Sequence, residues 1–228
     1  MNTITSEPKI EKKRLLFIDI LKTIAIFGVL IIHFTPRAYT EYSPYSFQYI
    51  FTVFINCLVR FSVPVFVMCS GTLFLDDNKS VSVRSIYKKY IPRIVIALFL
   101  FAVIYEVFSI CCSFLNTGVW DTAFFVTALK NLLTFNTHFH LYYLYIIIIL
   151  YALTPTIKLF LKSARKRDIE YIILFIFITS IFLPFLRNFY PLDRYFGGMT
   201  FQYSLNLVYS LIVYYILGYY LNKFPPEG

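Results

Sequence analysis

The sequence predicts an all-α fold, a polytopic transmembrane bundle of about six spans with one short interfacial helix. Hydrophobic residues make up 59% of the chain and charged residues only 14%, and the mean hydropathy is +0.69. A soluble domain of this size has about half apolar and about a quarter charged residues. Such an apolar chain is stable in lipid, where helices form all their backbone hydrogen bonds internally. The sequence has no alternation of polar and apolar residues that would predict a β-barrel.

Apolar runs define the predicted spans, because each approaches the ~20 residues that a membrane-crossing helix needs. The second run is longer than a span requires, which predicts a tilted helix or an interfacial end. The segment Thr122–Phe135 has helical apolar spacing but is short, so we predict that it lies in the outer interface. The runs are Leu15–Phe34, Ile50–Leu75, Ile94–Leu115, Leu141–Ile157, Tyr171–Leu186 and Tyr203–Leu221.

The basic residues predict the orientation of these spans. Of the 21 lysines and arginines, fifteen fall in the N-terminal segment, in the loops after the second and fourth runs, and in the tail. The positive-inside rule therefore predicts a multi-pass protein with a cytoplasmic segment 1–14, a membrane domain 15–221 and a cytoplasmic tail 222–228. This orientation accounts for the net charge of +9, although the same loops could also attract an anionic cofactor. Nucleic acid is not a predicted partner.

Two ionisable residues of the first run lie on one helical stripe. Lys22 and His33 are eleven residues apart, and at ~100° and ~1.5 Å per residue this spacing returns to nearly the same face ~16 Å further along. A charge that faces lipid costs at least ~2.5 kcal/mol, so the stripe is expected to face other helices. The sequence therefore predicts a cation near the inner side of the membrane and an imidazole near the outer side.

Three other runs place ionisable groups in a similar outer layer, namely Arg60, Glu106 and His140. Depths counted at ~1.5 Å per residue from the inner edge agree to within several ångströms. A structural reading stays open for each group. Arg60 and Glu106 could form a mutual ion pair, and both histidines could be ordinary residues of a helix end. Lys22 could extend its amine to the inner headgroups.

This arrangement favours a reaction that joins a cytoplasmic donor to an extracytoplasmic acceptor. A histidine near the outer face can act as general base towards a hydroxyl, and a cation near the inner face can hold an anionic donor. A proton-coupled transporter or export component for a glycan could use the same groups. The four cysteines lie inside the runs without paired metal spacing, so no metal site is predicted.

Several motifs, in order along residues 14–221, resemble the acyltransferase-3 family of integral membrane O-acyltransferases. Lys22-x10-His33 is similar to the Arg/Lys-x10-His motif of the first helix in that family. The stretch from Arg60 to Gly71, RFSVPVFVMCSG, resembles its second helix, and YKKYIPR, ending at Arg93, resembles its basic approach to the third. ALKNLL, HLYYL from His140 and GYYL from Gly218 resemble later motifs.

The resemblance implies transfer of an acyl group, with acetyl expected, from acyl-CoA such as acetyl-CoA. The implied acceptor is a hydroxyl of an extracytoplasmic envelope polysaccharide or a lipid-linked sugar, and no permanently bound cofactor is expected. The implied location is the bacterial cell membrane. By this analogy His33 is the base, with Arg60, Glu106 and His140 as further catalytic candidates. The donor-binding candidates are Lys22, Lys88, Lys89 and Arg93.

The family has more spans than this sequence predicts. We therefore expect the membrane domain, residues 15–221, to be incomplete at its C-terminus. An inactive truncated acyltransferase is the alternative that follows from this expectation, beside the transporter.

Overall fold

The structure, a computed structural model, describes residues 16–79, 81–118, 122–133, 141–186, 189 and 207–225. The described residues are almost entirely helical and contain no strand, so the predicted all-α fold is confirmed. Five helical stretches are long and apolar enough to cross a membrane, by length and composition. They are Leu16–Phe34, Phe47–Phe74, Val83–Thr117, Tyr142–Ser163 and Lys166–Leu186.

The chain forms two compact units, Met1–Cys69 and Ser70–Gly228. The first contains helix α1 (Leu16–Phe34), the short α2 (Pro36–Glu41) and α3 (Phe47–Val59). Helix α4 (Ser62–Phe74) begins in the first unit and ends in the second. The Ser46 hydroxyl starts α3 by accepting a hydrogen bond from the Tyr49 N–H, which satisfies one of the open donors of the first turn.

The second unit continues with one long interrupted helix. Helix α5 (Val83–Ser85) runs through a π-helical turn, Ile86–Tyr90, into α6 (Ile91–Thr117). The Pro92 nitrogen has no hydrogen to donate to the Lys88 carbonyl, so the regular ladder cannot continue here. The Ile91 N–H instead bonds to the Ile86 carbonyl, five residues back.

The remaining helices also lie in the second unit. They are α7 (Thr122–Leu133), α8 (Tyr142–Ser163), α9 (Lys166–Phe177), α10 (Leu183–Leu186) and α11 (Leu207–Lys223). A second π-helical turn, Ile178–Phe182, joins α9 to α10 and again precedes a proline, Pro184. Its Leu183 N–H bonds to the Ile178 carbonyl in the same way.

The structure changes the predicted bounds of several spans. The fourth and fifth predicted spans are short, but their helices extend to Ser163 and back to Lys166, because lysine and arginine near the ends suit a helix. Asp168 assists the start of α9 by accepting a hydrogen bond from the Arg165 N–H. The sixth predicted span, Tyr203–Leu221, begins outside the described residues, and its described part forms the 17-residue α11.

Small residues allow close helix packing within each unit. A Cβ atom on Gly28 would lie 2.0 Å from the Ser62 Oγ, which shows how closely α1 approaches the start of α4. A Cβ atom on Gly71 would lie 1.9 Å from the Tyr215 backbone oxygen on α11. Such contacts drive association in lipid, where the hydrophobic effect gives helices no preference for one another.

The two glycines predict a difference in stability. Gly71→Ala should destabilise the protein by ~1–3 kcal/mol, because the added methyl group meets backbone that cannot rotate away. Gly28→Ala should cost less, since the Ser62 hydroxyl can turn to another rotamer. Thermal unfolding of both variants in detergent checks this order, and a greater loss for Gly28→Ala would contradict the packing described.

Candidate functional site

Lys22 and His33 lie in one uninterrupted helix, α1. The spacing of eleven residue steps leaves their side chains ~20° apart around the helix axis. Both are half-buried, whereas neighbours such as Phe27 and Leu30 are exposed. Ile18, Ala25 and Gly28 form the buried face of α1, so the polar stripe lies along the edge of the packed surface.

The second predicted span is broken at Arg60. Helix α3 ends at Val59 and α4 begins at Ser62, so the membrane-crossing stretch Phe47–Phe74 contains a short interruption that the sequence analysis did not predict. Pro64 explains the break, because its nitrogen has no hydrogen to donate to the Arg60 carbonyl and its ring crowds that carbonyl. The Ser62 hydroxyl donates to the Val59 carbonyl at 2.7 Å and so satisfies one acceptor beside the break.

The side chain of Arg60 belongs to a relay of hydrogen bonds. Its Nε–H donates to the Asn56 Oδ1 at 2.9 Å, one turn earlier in the chain. The Asn56 amide in turn donates from Nδ2 to the Thr35 Oγ1. The Thr35 hydroxyl donates to the Ile32 carbonyl at 3.1 Å. The relay therefore connects Arg60 to the end of α1 that carries His33.

Two contacts fix the antiparallel register of these helices. Asn56 lies opposite Thr35, and Ser62 lies opposite Gly28. Arg60 is therefore level with Leu30 and Ile31, about 3–5 Å along the axis from the level of His33 at ~1.5 Å per residue. Both residues thus occupy one layer of the first unit, which agrees with the depths expected from the sequence.

The same register continues towards the other end of α1. In this register Lys22 is level with Cys69 of α4, which is only 3% exposed. The cation and the imidazole of the stripe therefore lie beside two different parts of the partner span, α4 and α3.

Glu106 lies in the second unit and has a partner there. It is 8% exposed on α6, and the Asn131 Nδ2 on α7 donates to its Oε1 at 3.1 Å. Arg60 and Glu106 thus each have an amide partner in their own unit, and the ion pair between them stays a prediction. His140 lies outside the described residues; the next residue, Leu141, is buried against Leu98 and Ala102.

The basic candidates of the third span surround its proline. Lys88 and Lys89 lie in the π-helical turn, and Arg93 lies in the first turn of α6. All three side chains are exposed, which leaves them accessible to an anion, and their part in donor binding stays a prediction. The π-helical turn shifts these residues relative to a regular helix, a feature often found at functional sites.

A polar contact at one end of the second unit was not predicted from the sequence. The Lys223 Nζ donates to the Asp77 Oδ2 at 2.7 Å, and the Tyr219 hydroxyl donates to the Asp77 Oδ1 at 3.1 Å. The Lys158 Nζ donates to two loop carbonyls, of Asp76 and Lys79, at 2.7 and 2.6 Å. These bonds connect the loop after α4 to α8 and α11. No local sequence pattern predicts them, because the partners are far apart in sequence.

Asn56 and Thr35 were also missed in the sequence reading. Asn56 is the only side-chain amide in the second apolar run, which is a usable signal because a polar group in lipid requires a partner. The identity of that partner depends on the register between α1 and α3, which the sequence pattern does not contain.

Comparison with known protein families identifies the family of this chain. A family model described as an acyltransferase domain, that of the acyltransferase-3 family, matches residues 15–228. No curated protein and no solved structure matches the chain. The resemblance seen in the sequence motifs is therefore confirmed.

The contact of Asp77 with Lys223 predicts a pH dependence of stability. The hydrogen bond from Lys223 lowers the pKa of the Asp77 carboxyl below its ordinary value of 3.8, against the opposing effect of burial. The stability that this contact contributes to the folded protein is present above about pH 4. It is lost as the pH falls through the pKa of Asp77 in the folded state. Because the Asp77 side chain is 52% exposed, screening by solvent limits the contribution at neutral pH.

Asp77→Asn should therefore reduce the loss of thermal stability on going from about pH 5 to about pH 3. At neutral pH, Asp77→Asn should lower the free energy of unfolding by less than ~1 kcal/mol. The matched control is Asp76→Asn, which retains an acceptor for the Asn78 N–H. Unfolding curves of parent and Asp77→Asn that shift in parallel with pH would contradict this account.

Proposed function

Since the chain belongs to the acyltransferase-3 family, we propose that it is a membrane-bound O-acyltransferase of the bacterial cell membrane. In this proposal it moves an acyl group, with acetyl expected, from acyl-CoA to a hydroxyl of an envelope glycan or a lipid-linked sugar. The positive-inside pattern supports cytoplasmic termini, and hence a donor that approaches from the cytoplasm.

The observation that carries the proposal is the polar stripe of α1, with Lys22 at one end and His33 at the other. The two side chains are separated by ~16 Å along the helix. A long, flexible thioester donor can span such a distance from a phosphate-bearing head to a reactive carbonyl. The stripe thus supports donor binding on one side of the membrane and acceptor activation on the other.

His33 is proposed as the general base. Its imidazole takes the proton of the acceptor hydroxyl while the hydroxyl oxygen attacks the thioester carbonyl carbon. The carbonyl oxygen then carries negative charge, and a guanidinium at the same layer, that of Arg60, is suited to stabilise it. Breakage of the carbon–sulfur bond releases the ester and the coenzyme A thiolate, which receives the proton from the imidazolium.

Lys22 is proposed to hold the donor through the charge of its ammonium group. The other candidates keep the roles that the family resemblance implies: donor phosphate binding for Lys88, Lys89 and Arg93, and a contribution to catalysis for Glu106 and His140. A lysine acts as a point charge towards phosphate and does not require a fixed fork geometry. Lys22→Arg is therefore the conservative replacement at this position.

The role of His33 predicts a large kinetic effect. His33→Ala should reduce the rate constant of acyl transfer by ~10²–10⁴, the usual contribution of general base catalysis. The measurement follows labelled acetyl transfer from acetyl-CoA in membranes that contain the protein and the glycan. Thr23→Ala is the matched control on α1, because the Thr23 hydroxyl donates within the helix to the Asp19 carbonyl at 2.8 Å and has no role in the proposed reaction.

Undiminished transfer by His33→Ala would remove the assigned base. Movement of the glycan across the membrane without release of coenzyme A would instead support the transporter that the sequence left open. Both readouts come from the same membrane preparation, so the two functions can be separated in one experiment.

The role of Lys22 predicts a change of a different kind. Lys22→Gln should raise KM for acetyl-CoA by roughly tenfold, as loss of one charge-assisted contact implies, with a smaller effect on kcat. Lys22→Arg should restore most of the affinity. A KM that is unchanged in Lys22→Gln would show that this residue does not hold the donor.

A further inference from the structure

The backbone around Arg60 does little to restrain the direction of its side chain. The regular helix is interrupted between α3 and α4, and the residue is exposed. An arginine side chain has many rotamers, so an unsupported guanidinium samples many directions. A group that stabilises charge in a transition state must instead be held in place before the reaction.

Asn56 provides that support from within the packed face of α3. It is 3% exposed and accepts a hydrogen bond from the Arg60 Nε–H at 2.9 Å. Use of Nε leaves the two terminal amino groups of Arg60, for which no hydrogen bond is described among residues 16–79. Those groups form the fork that binds a planar or tetrahedral anion.

The direction of every bond in the relay is determined by the chemistry of arginine. A guanidinium only donates, so the Asn56 oxygen must face Arg60 and the Asn56 nitrogen must face Thr35. The Thr35 oxygen then accepts from Asn56, and its own hydrogen goes to the Ile32 carbonyl. Thr35 is buried, at 9% exposure, and lies two residues beyond His33.

We infer that Asn56, itself held by Thr35, is a positioning residue that fixes the guanidinium of Arg60 in the layer of His33. The functional half of this inference rests on the proposed acyl transfer, in which Arg60 stabilises the developing oxyanion. The geometric half, that Asn56 immobilises Arg60, does not depend on the proposed acyl transfer. The two halves therefore need separate measurements.

Hydrogen exchange at the Arg60 Nε tests the geometric half. With ¹⁵N-arginine in the full chain in nanodiscs, the Arg60 signal is assigned by its disappearance in Arg60→Lys. Exchange of the Nε hydrogen should become at least roughly tenfold faster in Asn56→Leu and in Thr35→Val, since each removes a hydrogen bond to or behind a charged group. Thr35→Val is nearly isosteric and guards against a variant that does not fold.

Two controls separate this effect from general loosening. Thr35→Ser keeps the hydroxyl and should preserve slow exchange. Thr52→Ala removes a hydroxyl that bonds to the Gln48 carbonyl on the same helix, and it should also leave the Arg60 exchange rate unchanged. Equal exchange rates in the parent, Asn56→Leu and Thr35→Val would overturn the inference.

Acyl-transfer kinetics test the functional half. Asn56→Leu should lower kcat by roughly ten- to a hundredfold with little change in KM for acetyl-CoA, because the lost contact acts on the transition state. In a double-mutant cycle, Asn56→Leu should have little further effect once Arg60 is lysine. Additive losses, or a changed KM alone, would overturn the positioning role. If the parent transfers no acyl group, the proposed function fails, and the exchange measurement alone decides the geometry.

Discussion

The structure depends on the absence of water from the hydrocarbon layer. A polar group there must find its partner within the protein, because an unsatisfied group costs several kcal/mol. Several described polar side chains follow this rule across helices, whereas the buried hydroxyls of Tyr145 and Ser180 have no hydrogen-bond partner among the described residues. The Thr72 hydroxyl donates to the Gly218 carbonyl at 2.9 Å, and the Thr154 and Tyr215 hydroxyls share a hydrogen bond of 2.9 Å. Each such bond also fixes the register between two helices, so satisfaction of polar groups and specificity of packing have the same origin.

Prolines create the local irregularities on which the candidate site depends. Pro64 ends α3 before Arg60, whereas Pro92 and Pro184 each follow a π-helical turn. In all three places a backbone donor is missing, and the chain adapts by a break or by a longer hydrogen-bonded turn. The irregular backbone places Arg60 at a break, and it places Lys88 and Lys89 on a turn that a regular helix would orient differently. Arg60, Lys88 and Lys89 thus lie where the helical ladder is interrupted, whereas Lys22 and His33 lie in the regular helix α1.

Much of the fold follows from hydrophobicity and spacing alone. The apolar runs predict the helices, and the eleven-residue spacing predicts that Lys22 and His33 share a face, because both inferences need only the geometry of one helix. The break at Arg60 could also be anticipated from Pro64, since the proline acts on the residue four positions earlier. The link from Arg60 through Asn56 to Thr35 could not be anticipated, because twenty-one residues separate Asn56 from Thr35. Whether these two side chains meet depends on the axial register between α1 and α3, and small differences in packing determine that register.

The sequence by itself determined that this protein is a helical membrane protein of the acyltransferase-3 family with a cation and an imidazole on one stripe of its first helix. These properties are set by composition, by the helical period and by motifs along one chain. Only the tertiary structure decided which polar groups meet: Asn56 with Arg60 and Thr35, Asn131 with Glu106, and Lys223 with Asp77. The reason is that a hydrogen bond requires its donor and acceptor within about 3 Å, and in these helices that distance is fixed by the register between neighbours.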